Sequence, residues 1–261
     1  MPTIIAVSNQ KGGVGKTTTA VTLAHGLARR GLSVLLVDLD SQGNVADSLG
    51  VRPGNDLYRL LFPGLEESLD QAVFPSGRDN LDVIRSDKHT AALKIALASV
   101  DFREFVLSRV LEDAPYDVVL LDCAPSIDLL HTAALVAADY LIVPTKLDQL
   151  AVKGVRDVLQ TLEGIKRVGS TQCALMAVLP TFYDRVTNES TAQLSHLTRV
   201  FGADVWPPIP VDTNCRVAPR FGQTLWEYAP RTRALQGLEI EGGRRIGGYV
   251  QILERMMAYL A

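Results

Sequence analysis

Gln10-Lys11-Gly12-Gly13-Val14-Gly15-Lys16-Thr17-Thr18 follows directly on the apolar run Ile4 to Val7 and opens a stretch with helical spacing that runs to Arg30. Strand, glycine-rich loop, Gly-Lys-Thr and helix arrive in the order that a phosphate-binding loop requires. Glycines let the backbone fold into a nest of N–H donors, and the helix N-terminus adds partial positive charge at the same place. Gly12, Gly13, Val14, Gly15, Lys16, Thr17 and Thr18 are therefore the expected phosphate cradle. Lys16 is expected on the β- and γ-phosphates, with the Thr17 hydroxyl on Mg²⁺. The usual motif has glycine five positions before the Gly of Gly-Lys-Thr; here Gln10 stands there, and a second lysine, Lys11, lies beside the loop.

Working outward, short apolar runs alternate with longer amphipathic stretches, the pattern of an α/β doubly wound, mostly parallel sheet with helices on both faces. Strands are expected at Ile4 to Val7, Val34 to Val37, Leu81 to Ile84, Val118 to Leu121, Tyr140 to Val143 and Ala174 to Leu179. Their successive apolar residues are what strands buried on both faces need. Helices are expected at Lys16 to Arg30, Ala91 to Ala98, Phe102 to Asp113, Leu129 to Ala138 and Gln149 to Lys166, with Ser126 as N-cap and Asp128 behind it. Val51 to Arg78 reads as short helices and turns passing over the sheet edge, punctuated by Pro53, Gly54, Pro63, Gly64, Pro75 and Gly77. Tyr249 to Leu260 reads as a packed closing helix, with Tyr249, Val250, Leu253, Met256, Met257 and Leu260 on one face.

The 261 residues, 47% hydrophobic and 21% charged, are expected to form one domain over 1–261. Cys123, Cys173 and Cys215 stand far apart, with no C-x-x-C pair, which gives no support for a disulfide framework, a closed zinc site or an electron-carrying cluster. A cytoplasmic setting is expected. The start lacks a basic n-region, no stretch reaches membrane-spanning length, and the closing helix lacks the Lys/Arg-rich face of an interfacial anchor, so no membrane partner is expected. A net charge of -3 excludes a protein that coats nucleic acid with its whole surface, but not one with a local basic face.

Lys-Gly-Gly-Val-Gly-Lys-Thr-Thr resembles the deviant Walker A motif of the ParA/MinD superfamily of ATPases, and the likeness to small Soj-like ParA proteins covers nearly the whole chain. In that family the early lysine reaches across an ATP-bound homodimer to the partner's nucleotide, so the resemblance assigns that role to Lys11. Val37-Asp38-Leu39-Asp40-Ser41-Gln42-Gly43-Asn44 is similar to the family's switch I, with Ser41 where proline is common. It implies Asp40 as the residue that orients the attacking water and Asp38 as support for the Mg²⁺ shell. Val118 to Ser126, an apolar run into Asp122, resembles a Walker B and switch II, with Asp122 holding a Mg²⁺-bound water. Ile209-Pro210 begins the stretch that borders adenine in the family.

For partners, the resemblance implies nonspecific nucleoid DNA and a ParB-like adaptor on a plasmid, chromosome or protein cargo. Asp184-Arg185-Val186-Thr187-Asn188 looks like the family region where an arginine contacts DNA; a second such arginine falls on Asn214, with Arg216 and Arg220 as replacements. From Arg185 to Arg245 the chain carries eight arginines and no lysine against six acidic residues. Scattered solvated arginines remain an alternative to a DNA face, as do two other functions: a MinD-like membrane-associated positioner and a metabolic ATP-dependent ligase of related fold. Leu235 to Ile246 is longer than the family's usual link into the closing helix, and its sequence leaves two readings open, a partner surface or simply a loop.

Overall fold

The computed structural model describes residues 1–65 and 67–260, with the backbone alone at residue 241. Seven strands form the main sheet: β1 (Thr3–Val7), β2 (Val34–Asp38), β3 (Phe74–Arg78), β4 (Leu81–Ile84), β5 (Val118–Asp122), β6 (Tyr140–Lys146) and β7 (Ala174–Thr181). Their order is β3-β4-β2-β5-β1-β6-β7, with every pairing parallel except β3 against β4. Along the first 201 residues the α-helices are α1 (Lys16–Ala28), α2 (Asn44–Leu49), α3 (Asp56–Leu61), α4 (Leu69–Ala72), α5 (His89–Leu97), α6 (Val106–Leu111), α7 (Leu129–Ala137), α8 (Ala151–Arg167) and α9 (Asn188–Phe201). Short turns α10 (Asn214–Val217), α11 (Leu225–Tyr228) and α12 (Arg233–Gln236) lead to the closing helix α13 (Gly248–Leu260).

Alternation along the strands divides the core in two. Ile4, Ala6, Leu35, Val37, Val119 and Leu121 pack beneath α5 to α9, whereas Ile5, Val7, Val34, Leu36, Val118 and Leu120 pack beneath α1 and α13. Every residue of β2 and β5 is buried. Each large aliphatic side chain taken wholly out of water contributes ~1.5–3 kcal/mol, which is why these runs tolerate so little polarity until their last residue. That last residue is an aspartate in both strands. Register pairs Val7 with Asp122, and Asp38 with Asp122, so the carboxyl ends of β1, β2 and β5 emerge side by side. Ligands of open parallel sheets bind at this edge.

The structure departs from the sequence reading at several elements. Phe74–Arg78 is a strand, not a turn, despite Pro75 and Gly77; it sits at the sheet edge, where a proline is tolerated, and a bulge between Pro75 and Arg78 interrupts its ladder with β4. Phe102 takes a left-handed φ of 54° and is exposed, so the helix expected from that residue begins as a 3₁₀ turn at Arg103 and becomes α-helical only at Val106. Asp128, rather than Ser126, caps α7: its carboxylate accepts from His131 N at 3.0 Å, and the Ser126 hydroxyl only buttresses it at 2.7 Å. Helix α9 was not expected; its buried residues are just Ser190 and Leu197, too few to make a periodic stripe. The 235–246 segment is not a plain loop but holds a two-stranded hairpin, β8 (Leu238–Glu239) against β9 (Arg245–Ile246). In α13 the buried face is Tyr249, Ile252, Leu253 and Met256, with Val250, Met257 and Leu260 half-buried at its margin.

Candidate active site

The loop between β1 and α1 wraps the sheet edge as the glycines dictate. Gly13 and Gly15 hold φ of 69° and 89°, a region costly for any residue with a Cβ. Val14 between them is buried, and its carbonyl accepts from Thr181 Oγ1 at the end of β7 at 2.9 Å. The loop is thereby pinned on both sides while Gly12 and Gly13 stay exposed to the groove. Lys16, the first residue of α1, is 8% exposed, and its ammonium donates to Lys11 O at 3.1 Å across the loop. Burial pulls the Lys16 pKa below the usual lysine range, and the nearby Asp122, Cys123 and Asp40 only partly offset it. A buried ammonium with one carbonyl partner is poised for an anion.

Lys11 stands at the rim, one-third exposed, and its ammonium pairs with Asp148 in the turn after β6. The two lysines therefore differ in reach: Lys16 points under the loop, and Lys11 lies on its outer side.

At the end of β5, Asp122 is buried, and among the described residues neither of its carboxylate oxygens has a hydrogen-bond partner. Burial raises its pKa to about 7, against the pull of the neighbouring Thr17 hydroxyl and the Lys16 charge. Asp38, equally buried, is pushed up by burial and by the adjacent Asp122. Its oxygens are already used: Oδ1 accepts from Asp40 N at 2.9 Å and Oδ2 from Val45 N at 3.2 Å, so Asp38 shapes the loop that carries Asp40. Asp40 is half-buried; its Oδ1 accepts from Gln42 N at 3.0 Å, and its Oδ2 takes no hydrogen bond among the described residues.

An open groove of about 470 Å³ brings Gly12, Gly13, Lys16, Thr17 and Asp40 together. A magnesium ion fits the donor set. Two orphaned carboxylate oxygens beside a hydroxyl are what a hydrated hard cation needs, and Mg²⁺ is commonly held by one or two carboxylates plus substrate phosphates. No cluster of three His, Cys, Asp or Glu stands ready for a metal among the described residues, so this donor set leaves positions open for other oxygens. Next to the groove, a small pocket lined by Gly15, Thr18, Phe182, Pro210, Val211 and Tyr249 offers apolar walls for a base. Pro210, expected beside the adenine, lines this pocket. Thr181 and Phe182, at the carboxyl end of β7, were not singled out from sequence; their place at the end of an expected strand was the available signal.

The expected DNA residues lie elsewhere. Arg185, Arg216 and Arg220 are all exposed. Arg185 donates weakly to Glu239 O in the β8–β9 hairpin at 3.4 Å, while Arg216 and Arg220 sit on the consecutive turns Asn214–Val217 and Ala218–Phe221. Asn214 is half-buried and tied into the pocket wall, donating from Nδ2 to Asp212 Oδ1 at 2.9 Å and to Thr232 Oγ1 at 3.2 Å.

A family model described as an AAA domain matches residues 2–175. The chromosome-partitioning ATPase Soj of Thermus thermophilus is 40% identical over 87% of this chain and 88% of its own. The sporulation initiation inhibitor protein Soj of Bacillus subtilis is 34% identical, covering 90% of this chain and 95% of that one. Among solved structures, apo McdA from Cyanothece shares the fold with a TM-score of 0.81 at 22% identity, over 88% of this chain and 94% of that one. A cobyrinic acid a,c-diamide synthase from Mycobacterium smegmatis, with bound ATP analog and magnesium, gives 0.74 at 30% identity, over 95% and 99%.

Proposed function

Since the chain belongs to the ParA/MinD superfamily as a Soj-like P-loop ATPase, we propose that it works as one domain over residues 1–261 that dimerises on ATP, binds DNA without regard to sequence and positions a cargo through a ParB-like adaptor. The observation that carries this reading is the division between two lysines on one loop, one buried beneath it and one at its rim. Lys16, with the backbone N–H groups of residues 12–18, takes the β- and γ-phosphates. Thr17 and Asp122 would hold Mg²⁺, and Asp38 would support that shell from behind by fixing the loop. When bound, the ion neutralises charge on the phosphates. Asp40 Oδ2, free of protein partners among the described residues, holds the attacking water.

Lys11 is the residue offered to a second copy. Its pair with Asp148 stands at the rim, about one-third exposed, and rests on a single carboxylate, so a partner's phosphates can compete for it. Lys11→Ala is therefore expected to bind ATP as the parent does and to stay monomeric. Light scattering reads the mass with and without ATP, and a normal ATP-induced dimer in the variant overturns the cross-dimer role.

The DNA reading rests on exposed Arg185, Arg216 and Arg220, doubled in a dimer, acting on phosphates at the nucleoid. Binding is expected with ATP and not ADP, equally across sequences, and to weaken steeply with salt as counterions are released. Arg185→Ala should weaken binding to all sequences alike and leave dimerisation intact; filter binding over a salt series measures both. Salt-insensitive binding, or equal binding with ADP, excludes it.

One observation favours a second reading, an ATP-dependent amide-forming ligase. At 30% identity over almost its whole length, the cobyrinic acid a,c-diamide synthase comes near the 31–40% of the ParA and Soj relatives. Such an enzyme has no need for ATP-dependent DNA retention, so the same filter assay separates the two.

A further inference from the structure

The excursion between β2 and β4 ends at Arg78, whose side chain is 9% exposed and uses every guanidinium nitrogen. Nη1 donates to Leu49 O, the last residue of α2, at 2.8 Å and to Ser76 O at 3.0 Å. Nη2 donates to Gly222 O at 3.1 Å, and Nε and Nη2 fork onto Glu227 at 3.0 and 2.8 Å. Glu227 is itself fixed, accepting from Thr224 N at 2.7 Å. Beside this clamp the backbones of Gly50 and Gly222 touch. A Cβ on Gly50 would lie 2.6 Å from Gly222 O, and one on Gly222 would lie 2.5 Å from Gly50 Cα. Both residues hold left-handed φ, 67° and 63°. Neither position admits a side chain.

The two glycines end two functionally distinct segments. Gly50 closes α2, which begins directly after the Asp40 loop and is tied to it by Asp38 through Val45 N. Gly222 closes the turn Ala218–Phe221, which carries Arg220 and brings Pro219 to the phosphate groove. A bidentate arginine has little geometric slack, and a glycine-on-glycine backbone contact cannot slide without collision.

We propose that Arg78 is a positioning residue that locks the Arg220-bearing turn to α2 across the Gly50–Gly222 contact, so that a nucleotide-dependent shift of residues 40–50 is carried to residues 216–222. This deepens the DNA reading above and rests on it for its purpose, though not for its detection. The 51–78 excursion thereby acquires a purpose, since it returns Arg78 to the place where both segments can be held.

Hydrogen exchange read by mass spectrometry on the whole protein, with and without Mg²⁺ and a non-hydrolysable ATP analogue, tests it. In the parent, nucleotide should change exchange in both segments. In Arg78→Ala the change at 40–50 should persist while that at 216–222 is lost. Glu227→Gln, which retains an acceptor for Thr224 N but removes the fork's charge, should reduce the 216–222 response severalfold and covers the case in which Arg78→Ala does not fold. An undiminished 216–222 response in the variants, or none in the parent, overturns the proposal. DNA retention, measured in parallel, should show an ATP-to-ADP ratio that falls toward one in the variants. A parent that fails to retain DNA with ATP defeats the DNA reading, while the exchange result still decides the joint.

Discussion

Lys16→Ala is expected to lower ATP affinity about a hundredfold to a thousandfold, enough to abolish turnover at ordinary ATP concentrations. The ammonium is buried, and its protein partner is a single carbonyl, Lys11 O. Taking one member from a buried, hydrogen-bonded charge pair costs ~2–5 kcal/mol, and each 1.4 kcal/mol is about tenfold in affinity. The loss has two parts. The phosphates forfeit a point charge that no neighbouring side chain supplies, because Lys11 is directed outward to Asp148. Asp122 forfeits a positive neighbour that helps keep it ionised; burial already holds its pKa at about 7, so it moves further toward the neutral form and becomes a poorer support for a cation. Lys16→Met, which keeps the apolar stem and removes only the charge, should lose as much as Lys16→Ala. Calorimetric titration with ATP and Mg²⁺ measures both, and unchanged affinity in either variant sinks the assignment of the phosphate site.

How much of this was legible in the sequence depended on how local the determining physics is. The strands Val34 to Val37 and Val118 to Leu121 announced themselves because a strand buried on both faces needs an unbroken apolar run, and the structure buries all of them. The phosphate loop was legible for a related reason: a nest of N–H donors needs consecutive glycines, so its residues are adjacent in the chain. Asp38 and Asp122 were legible as the first acids after such runs, though only register shows that they face each other as neighbours. Strand β3 was hidden because an edge strand is exempt from the rules that make central strands recognisable. Helix α9 was hidden because few of its residues are buried. Contacts that join distant segments left no local trace. Nothing around Asp148 says that it holds Lys11, and nothing around Arg78 says that it will bind both Leu49 O and Gly222 O. The hairpin at Leu238–Glu239 and Arg245–Ile246 is of the same kind, a pairing of two residues with two, too short to show an alternating pattern in the sequence.

Asp40→Ala should separate binding from turnover, with hydrolysis slowed by about 10²- to 10⁴-fold, the range in which a positioned acid or base contributes. Two features make the separation clean. Asp40 contributes no side-chain bond to the cradle: Lys16 is held by Lys11 O, Val14 by Thr181, and the loop's own shape by Asp38 through Asp40 N, a backbone donor that alanine retains. Among the described residues, the one side-chain bond lost is Oδ1 to Gln42 N, in an exposed turn. ATP and Mg²⁺ should therefore bind as in the parent, and the ATP-dependent dimer should form and then persist, since its dissociation waits on hydrolysis. Asp40→Asn keeps an acceptor for Gln42 N but cannot take a proton from water, so it should resemble alanine in rate and the parent in stability. Phosphate release in single turnover, read beside light scattering for the dimer, decides the matter. Hydrolysis at the parent rate in Asp40→Ala would remove Asp40 from the water-positioning role and turn attention to the other polar groups that line the groove.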